Sequence, residues 1–334
     1  MPAPTEGLPV AAGEPYPMIL CIGLTPTIQR TLRFDRFALG GVNRATQTVV
    51  TASGKAVNVA RVLTTLGAKK ARLVHAVGGD SGRFVTQTLA GEGVMVETID
   101  AGDAAPTRTC TTLLFGDGTP ATELVEEAHP LSEAVLTRLH HAVDAKLFHA
   151  RAVVCSGSLT PGAPDDFYAR FVRYGRQNGV RVVVDAQKAA LRAALVEQPF
   201  LVKPNRDEAA ATLGFTLSGN AEADAKTAVA ALLDAGAEWA LVSMGRDGSL
   251  LGGRESKTRY RITPPALTAV NPVGSGDSLT AGLVYALVEG GKTVPDATVY
   301  GTACGAANAL SLTSGVLLAS DVARLLPQVR VTTL

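Results

Sequence analysis

Between Asn271 and Ser278 the chain reads Asn-Pro-Val-Gly-Ser-Gly-Asp-Ser, directly ahead of a run opening Leu279-Thr280-Ala281-Gly282 that predicts a helix. Glycines at 274 and 276 allow a tight turn and leave backbone N–H groups uncovered. At a helix N-terminus those groups and the helix dipole together favour an anion. Asp277 stands at the same place, so a carboxylate adjoins an anion cradle. Phosphoryl transfer needs that pairing: the cradle takes the charge of the moving group and the carboxylate accepts a hydroxyl proton. On these residues alone a plainer reading stays open, in which Asp277 caps the helix and the glycines only make the turn.

A second polar constellation is Lys203-Pro204-Asn205-Arg206-Asp207-Glu208. Asn-x-x-Glu at the head of a helix is close to a capping box, and its hard oxygens are also the kind that Mg²⁺ and its waters prefer. Several chemistries are excluded. Gly54-Lys55 lacks the spacing of a Walker A loop, and no Gly-x-Gly-x-x-Gly follows the first strand. The four cysteines, Cys21, Cys110, Cys155 and Cys304, include no Cys-x-x-Cys, which fits reduced thiols in the cytoplasm. His140 and His141 are adjacent and read as a solvated surface pair.

The elements that must position these residues alternate along the chain. Strands are predicted at 19–24, 72–76, 151–155, 181–185, 201–203 and 239–243, and helices at 56–66, 84–89, 165–177, 223–233 and 278–287. Such alternation predicts a mostly parallel sheet with helices on both faces, and Val182-Val183-Val184 suits a strand buried on both sides. Two segments break the rhythm: Thr31–Phe34 with Thr46–Thr51 around Gly40-Gly41, and Thr107–Phe115 with Ala121–Val125 around Asp117-Gly118. They predict a small antiparallel flap that covers a cleft or pairs with another chain.

Composition agrees with a packed protein. Of 334 residues, 46% are hydrophobic and 18% charged, and the net charge is +1 without any block of one sign. With aromatics at 5%, neither a nucleic-acid surface nor a base-stacking platform is expected. Residues 1–17 read as a flexible tail and not a signal peptide, and no apolar run has the length of a membrane span. A soluble protein is expected.

Gly274-Ser275-Gly276-Asp277-Ser278 followed by Ala281-Gly282 resembles the C-terminal signature of the PfkB/ribokinase-like carbohydrate kinases. From Met18 onward the likeness continues: Ser53-Gly54-Lys55-Ala56-Val57-Asn58-Val59-Ala60-Arg61 is similar to the family's N-terminal motif. Gly40-Gly41-Val42-Asn43-Arg44, Thr107-Arg108, Ser156-Gly157-Ser158-Leu159 and the 203–208 segment resemble the branch that phosphorylates sugar phosphates: 1-phosphofructokinase, tagatose-6-phosphate kinase and the minor 6-phosphofructokinase.

The resemblance implies a ribokinase-like three-layer α/β fold over 18–334, with lid segments at about 29–53 and 106–127; the flap's second face, which needs a cover, suggests a homodimer through the lid. It implies ATP and Mg²⁺, with Asp277 as general base and the Gly274, Ser275 and Gly276 amides as anion hole. Lys203, Asn205, Ser243, Gly245, Gly248 and Asn308 would line the nucleotide site, and Asn205 and Glu208 would organise Mg²⁺ through water. Gln29, Arg44, Gly54, Lys55, Asn58, Arg108 and Ser158 would contact the acceptor, the arginines suiting a phosphate. The activity implied is most like 1-phosphofructokinase. Alternatives are a tagatose 6-phosphate or fructose 6-phosphate acceptor, a plain sugar or nucleoside, or a non-catalytic binding relative.

The departures lie on the acceptor side. Gln29 stands where a carboxylate is usual, Ser53 and Ala56 where glycine is usual, and Cys110 and Thr112 replace a polar pair. Side chains at 53 and 56 are expected to crowd a sugar's approach to the backbone.

Overall fold

The structure, a computed structural model, describes residues 17–117 and 119–334. In chain order its elements begin β1 (Met18–Gly23), β2 (Thr27–Phe34), β3 (Gln47–Ser53), α1 (Lys55–Thr65), β4 (Ala71–Val77), α2 (Gly79–Gly91) and β5 (Val96–Asp100). Next come β6 (Arg108–Phe115), β7 (Thr122–Val125), α3 (Glu133–Leu147), β8 (Ala150–Ser156), α4 (Ala169–Asn178), β9 (Arg181–Asp185) and α5 (Lys188–Val196). The chain continues through β10 (Leu201–Val202), α6 (Arg206–Leu213), α7 (Ala221–Asp234), β11 (Trp239–Ser243), β12 (Ser249–Gly253) and β13 (Arg259–Thr263). It closes with α8 (Ser275–Val288), α9 (Val294–Asn308), α10 (Ala319–Leu325) and β14 (Arg330–Thr333). The expected tail lies outside the described residues apart from Pro17, and so does Gly118 of the Asp-Gly turn.

Ten strands form the large sheet, ordered β14-β13-β12-β11-β10-β9-β8-β1-β4-β5. From β5 to β11 every pairing is parallel; β12, β13 and β14 add an antiparallel edge. Period-2 alternation splits the core in two. Ile19, Cys21, Leu73 and Val183 face α1, α2, α8, α9 and α10, whereas Leu20, Ile22, Val74, Val182 and Val184 face α3 to α7. His140 belongs to this second layer, stacked on Phe167 at 4.6 Å between ring centroids, so of the histidine pair only His141 is the solvated one expected.

The two rhythm-breaking segments supply β2 with β3 and β6 with β7, which join in a separate four-stranded sheet ordered β3-β2-β6-β7. Its outer pairs are antiparallel, as the hairpin signals predict, and its central pair β2–β6 is parallel. The strand β3 ends at Ser53, and Gly54 leads straight into α1. Gly54 has φ +116°, and a Cβ there would fall 2.9 Å from Thr25 O, so the small sheet meets the large one at a residue that must be glycine.

Candidate active site

The carboxyl ends of the parallel strands converge beside the small sheet, the edge where open α/β sheets bind ligands. The apolar run of β9 ends in Asp185, which has no solvent exposure. Its Oδ1 accepts from Lys55 Nζ at 3.0 Å and its Oδ2 pairs with Lys203 Nζ at 2.9 Å and accepts from Thr280 Oγ1 at 3.3 Å. Lys55 Nζ also donates to Glu208 Oε1 at 3.0 Å. Burial would raise the Asp185 carboxyl, but the ammoniums of Lys203 and Lys55 overcome it and hold it below the ordinary carboxylate range. Burial likewise opposes the charge of Lys55, and Asp185, Glu208 and Asp277 more than restore it.

Asp277 lies in the first turn of α8 and is 7% exposed. Asn58 Nδ2 donates to its Oδ2 at 2.8 Å. Its carboxyl is pushed up to about 7, first by burial and then by the charge of Asp185, against the opposing pull of Lys55, the Asn58 hydrogen bond and Lys203. A carboxylate poised there suits proton abstraction at neutral pH.

Gly274 turns into α8 at φ +83°, and a Cβ on it would fall 2.7 Å from Gly315 N. Among the described residues the Gly274 and Gly276 N–H groups have no acceptor, as the anion cradle requires; the Ser275 N–H turns back to Pro272 O at 3.2 Å. Nearest to the open side of Gly276 is Lys203 Nζ, 3.4 Å from where a Cβ would stand. Asn308 fixes this loop from behind: its Nδ2 donates to Val273 O at 2.9 Å and Ser275 Oγ at 3.2 Å, and its Oδ1 accepts from Gly315 N at 2.8 Å. With no exposed surface and both amide hydrogens used, Asn308, expected to line the nucleotide site, holds the cradle loop from inside the helix.

A carboxylate beside unpartnered helix-start amides, with two lysines near it, is an arrangement able to take up and move a phosphoryl group. A model of the pfkB family carbohydrate kinases matches residues 17–317. The chain belongs to that family. It is a sugar or sugar-phosphate kinase with a ribokinase-like fold, and the family implies ATP as the phosphoryl donor. It is similar to a putative phosphofructokinase of Staphylococcus aureus at 29% identity, covering 95% of this chain and 99% of that one, with a TM-score of 0.72. A tetrameric inhibited form of phosphofructokinase-2 from Escherichia coli matches at 27% identity, 93% and 98% coverage, and a TM-score of 0.79. A possible 1-phosphofructokinase of Thermotoga maritima shares the fold at 20% identity, 95% and 99% coverage, and a TM-score of 0.85.

In this pfkB kinase Asn205 and Glu208 form the full capping box of α6: Asn205 Oδ1 accepts from Glu208 N at 2.8 Å and Glu208 Oε2 from Asn205 N at 2.9 Å. Ser243 ends β11 beside Asn205, Gly245 opens a one-turn 3₁₀ segment, and Gly248 (φ +91°) passes so close to Ile262 O that a Cβ would meet it at 2.3 Å. Of the residues expected to contact the acceptor, Lys55 and Asn58 join the cluster, and Gly54 precedes Lys55 at the head of α1. Ser158 is exposed just beyond β8, its carbonyl accepting from Thr25 Oγ1 at 3.3 Å. Arg108 opens β6 with one Nη on Glu126 O at 3.0 Å and a buried Nε that has no partner. Arg44 is exposed in the connection from β2 to β3, and no contact joins it to the cluster.

The departures from the family pattern resolve in pairs. Gln29 is 4% exposed and its Nε2 donates to Thr112 Oγ1 at 2.8 Å, so the two unusual residues satisfy each other across β2 and β6. Ser53 and Ala56 do not crowd the cleft as expected. Both are buried; the Ala56 methyl fills the space that Gly23 leaves open, and Ser53 Oγ donates to Asn58 Oδ1 at 3.0 Å. Asp185 is the residue that sequence reading passed over, although a carboxylate closing a run of three valines is a signal in itself.

Proposed function

We propose that this pfkB kinase carries the terminal phosphoryl group of ATP to a hydroxyl of a phosphorylated ketohexose, most like fructose 1-phosphate giving the 1,6-bisphosphate. The observation that carries the reading is the Asp277 carboxylate, hydrogen-bonded to Asn58, one residue beyond the unpartnered Gly276 amide. Asp277 takes the hydroxyl proton. Gly274 and Gly276 amides, with Lys203 beside them, hold the charge of the transferring group. Ser243, Gly245 and Gly248 support the nucleotide, and Lys55, Asn58, Gln29, Ser158, Arg44 and Arg108 the acceptor. Arg108, with a buried N–H still unmatched, suits the acceptor's phosphate. The small sheet serves as the lid.

Asn205 and Glu208 fit Mg²⁺ in donor type, but their oxygens already serve the capping box and Lys55. They would hold the ion's waters rather than the ion, and among the described residues no group of three acidic, His or Cys side chains offers direct ligation. When bound, Mg²⁺ neutralises phosphate charge. The four cysteines are buried and unpaired, which supports a reducing, cytoplasmic setting. Among the described residues no helix is long and apolar enough to cross a membrane.

Fructose 6-phosphate is the second reading, since the Staphylococcus and Escherichia relatives at 29% and 27% identity are named phosphofructokinases. ATP turnover over fructose 1-phosphate, fructose 6-phosphate, tagatose 6-phosphate and plain sugars separates the cases. Asp277→Asn lowers kcat by roughly 10²–10⁴-fold, the range for a lost general base. Arg108→Ala raises KM for a phosphorylated acceptor and not for a plain sugar. Wild-type turnover in Asp277→Asn removes the base assignment, and equal KM values remove the phosphate contact.

A further inference from the structure

Asn58 has two ends, and only one orientation of its amide serves Asp277. Its Oδ1 accepts from Ser53 Oγ at 3.0 Å and from Arg61 Nη1 at 3.3 Å, while its Nδ2 donates to Asp277 Oδ2 at 2.8 Å. Ser53 spends its single hydrogen on Asn58, so at the 3.1 Å contact between the two hydroxyls Ser314 Oγ donates to Ser53. A reversed amide would set oxygen against carboxylate at one end and N–H against donors at the other.

The Arg61 guanidinium is itself immobilised. It is 4% exposed, donates to Ala52 O at 2.7 Å at the end of β3, and pairs with Glu92 at 2.7 Å. Neither Arg61 nor Ser53 touches Asp277. The charged groups that do face Asp277 are Lys55 from α1, Asp185 from the end of β9 and Lys203 beyond β10.

We propose that Ser53 and Arg61 are positioning residues that hold the Asn58 amide with its N–H toward Asp277, so that this carboxylate stays available to take the acceptor's proton. The inference deepens the reading of Asp277 as general base and rests on it. Arg61 brings a positive charge to the amide oxygen, which polarises the N–H and strengthens its bond to the carboxylate. Without either donor the amide loosens and the ionised form of Asp277 loses support, so its protonation moves to higher pH.

The test is the pH dependence of kcat/KM for Ser53→Ala and Arg61→Gln, with Glu92→Gln and Asp277→Asn alongside. In both positioning variants the acid limb moves up by about half to one unit, a loss of roughly 3–10-fold at pH 6. The loss shrinks to within about twofold above pH 9, where Asp277 is ionised regardless. Glu92→Gln, which alters Arg61's far side only, leaves the limb in place. A loss equal at every pH, or an unmoved limb in Ser53→Ala, overturns the proposal, and Ser53→Ala decides it should Arg61→Gln not fold. If Asp277→Asn stays active, the base assignment fails and the positioning role with it; if that variant is dead and the limb still does not move, the positioning role alone fails.

Discussion

Asp277 and Asp185 are both buried aspartates of one site, yet their surroundings push them in opposite directions. Asp185 has two ammonium partners and stays ionised; Asp277 has one amide partner and a like charge nearby, and titrates near 7. A general base works only when deprotonated, so kcat/KM of the wild type falls about tenfold per unit below pH 7 and levels off above it. A profile flat to pH 5 would contradict that assignment. Asp185→Asn leaves Lys55 and Lys203 without their shared buried counter-charge, and destabilises the fold by about 3–5 kcal/mol in urea denaturation. What the sequence showed at this scale was the local signal: a glycine turn followed at once by a carboxylate. It did not show what holds Asp185, because Lys55 and Lys203 are brought to it from 130 residues upstream and from the end of the neighbouring strand. Nor could it show that Gln29 and Thr112 answer one another over a separation of 83 residues.

The first turn of α8 separates two uses of glycine. At Gly274 the left-handed φ of +83° and the 2.7 Å approach to Gly315 N leave no place for a side chain. Gly274→Ala therefore costs about 1–2 kcal/mol for the conformation alone, with overlap added, and the melting temperature drops. Gly276 has ordinary helical geometry and only Lys203 Nζ, at 3.4 Å, beside its open face. Gly276→Ala keeps the melting temperature within a few degrees, since alanine favours helix by at most about 1 kcal/mol. Its kcat/KM falls by more than about 10²-fold, because the methyl occupies the approach to the cradle. Calorimetry and kinetics on the pair distinguish a hinge from a binding surface; equal loss of stability in both would refute the distinction. Elements were legible wherever apolar runs carried them, as at 19–24 or 181–185. The antiparallel strand β12 was not, because Gly252 and Gly253 interrupt the pattern: a Cβ on Gly253 would fall 3.0 Å from the Trp239 ring.

At the scale of the molecule, the fold sets one small sheet beside the carboxyl ends of the parallel strands and leaves part of that sheet bare. Val50 on β3, Arg30 on β2, Thr111 on β6 and Leu124 on β7 lie in a single cross-strand row, hence on one face. Val50 is 44% and Leu124 55% exposed, and Leu39 and Val42 in the β2–β3 connection are more open still. Apolar side chains at the two ends of that row, with Arg30 and Thr111 between them, on a sheet that also presents two open edges, favour a partner, and a second copy of the same sheet is self-complementary in a two-fold assembly. The chain is accordingly expected to run as a homodimer in light scattering, held by an interface of at least about 1,200 Å². Val50→Lys and Leu124→Lys each give monomers, while Phe148→Lys, at a 71% exposed position of the large domain face beyond α3, leaves the dimer whole. A lysine at Val50 or Leu124 that leaves the mass unchanged would place the contact elsewhere, and a monomeric wild type would show that the row is simply solvated.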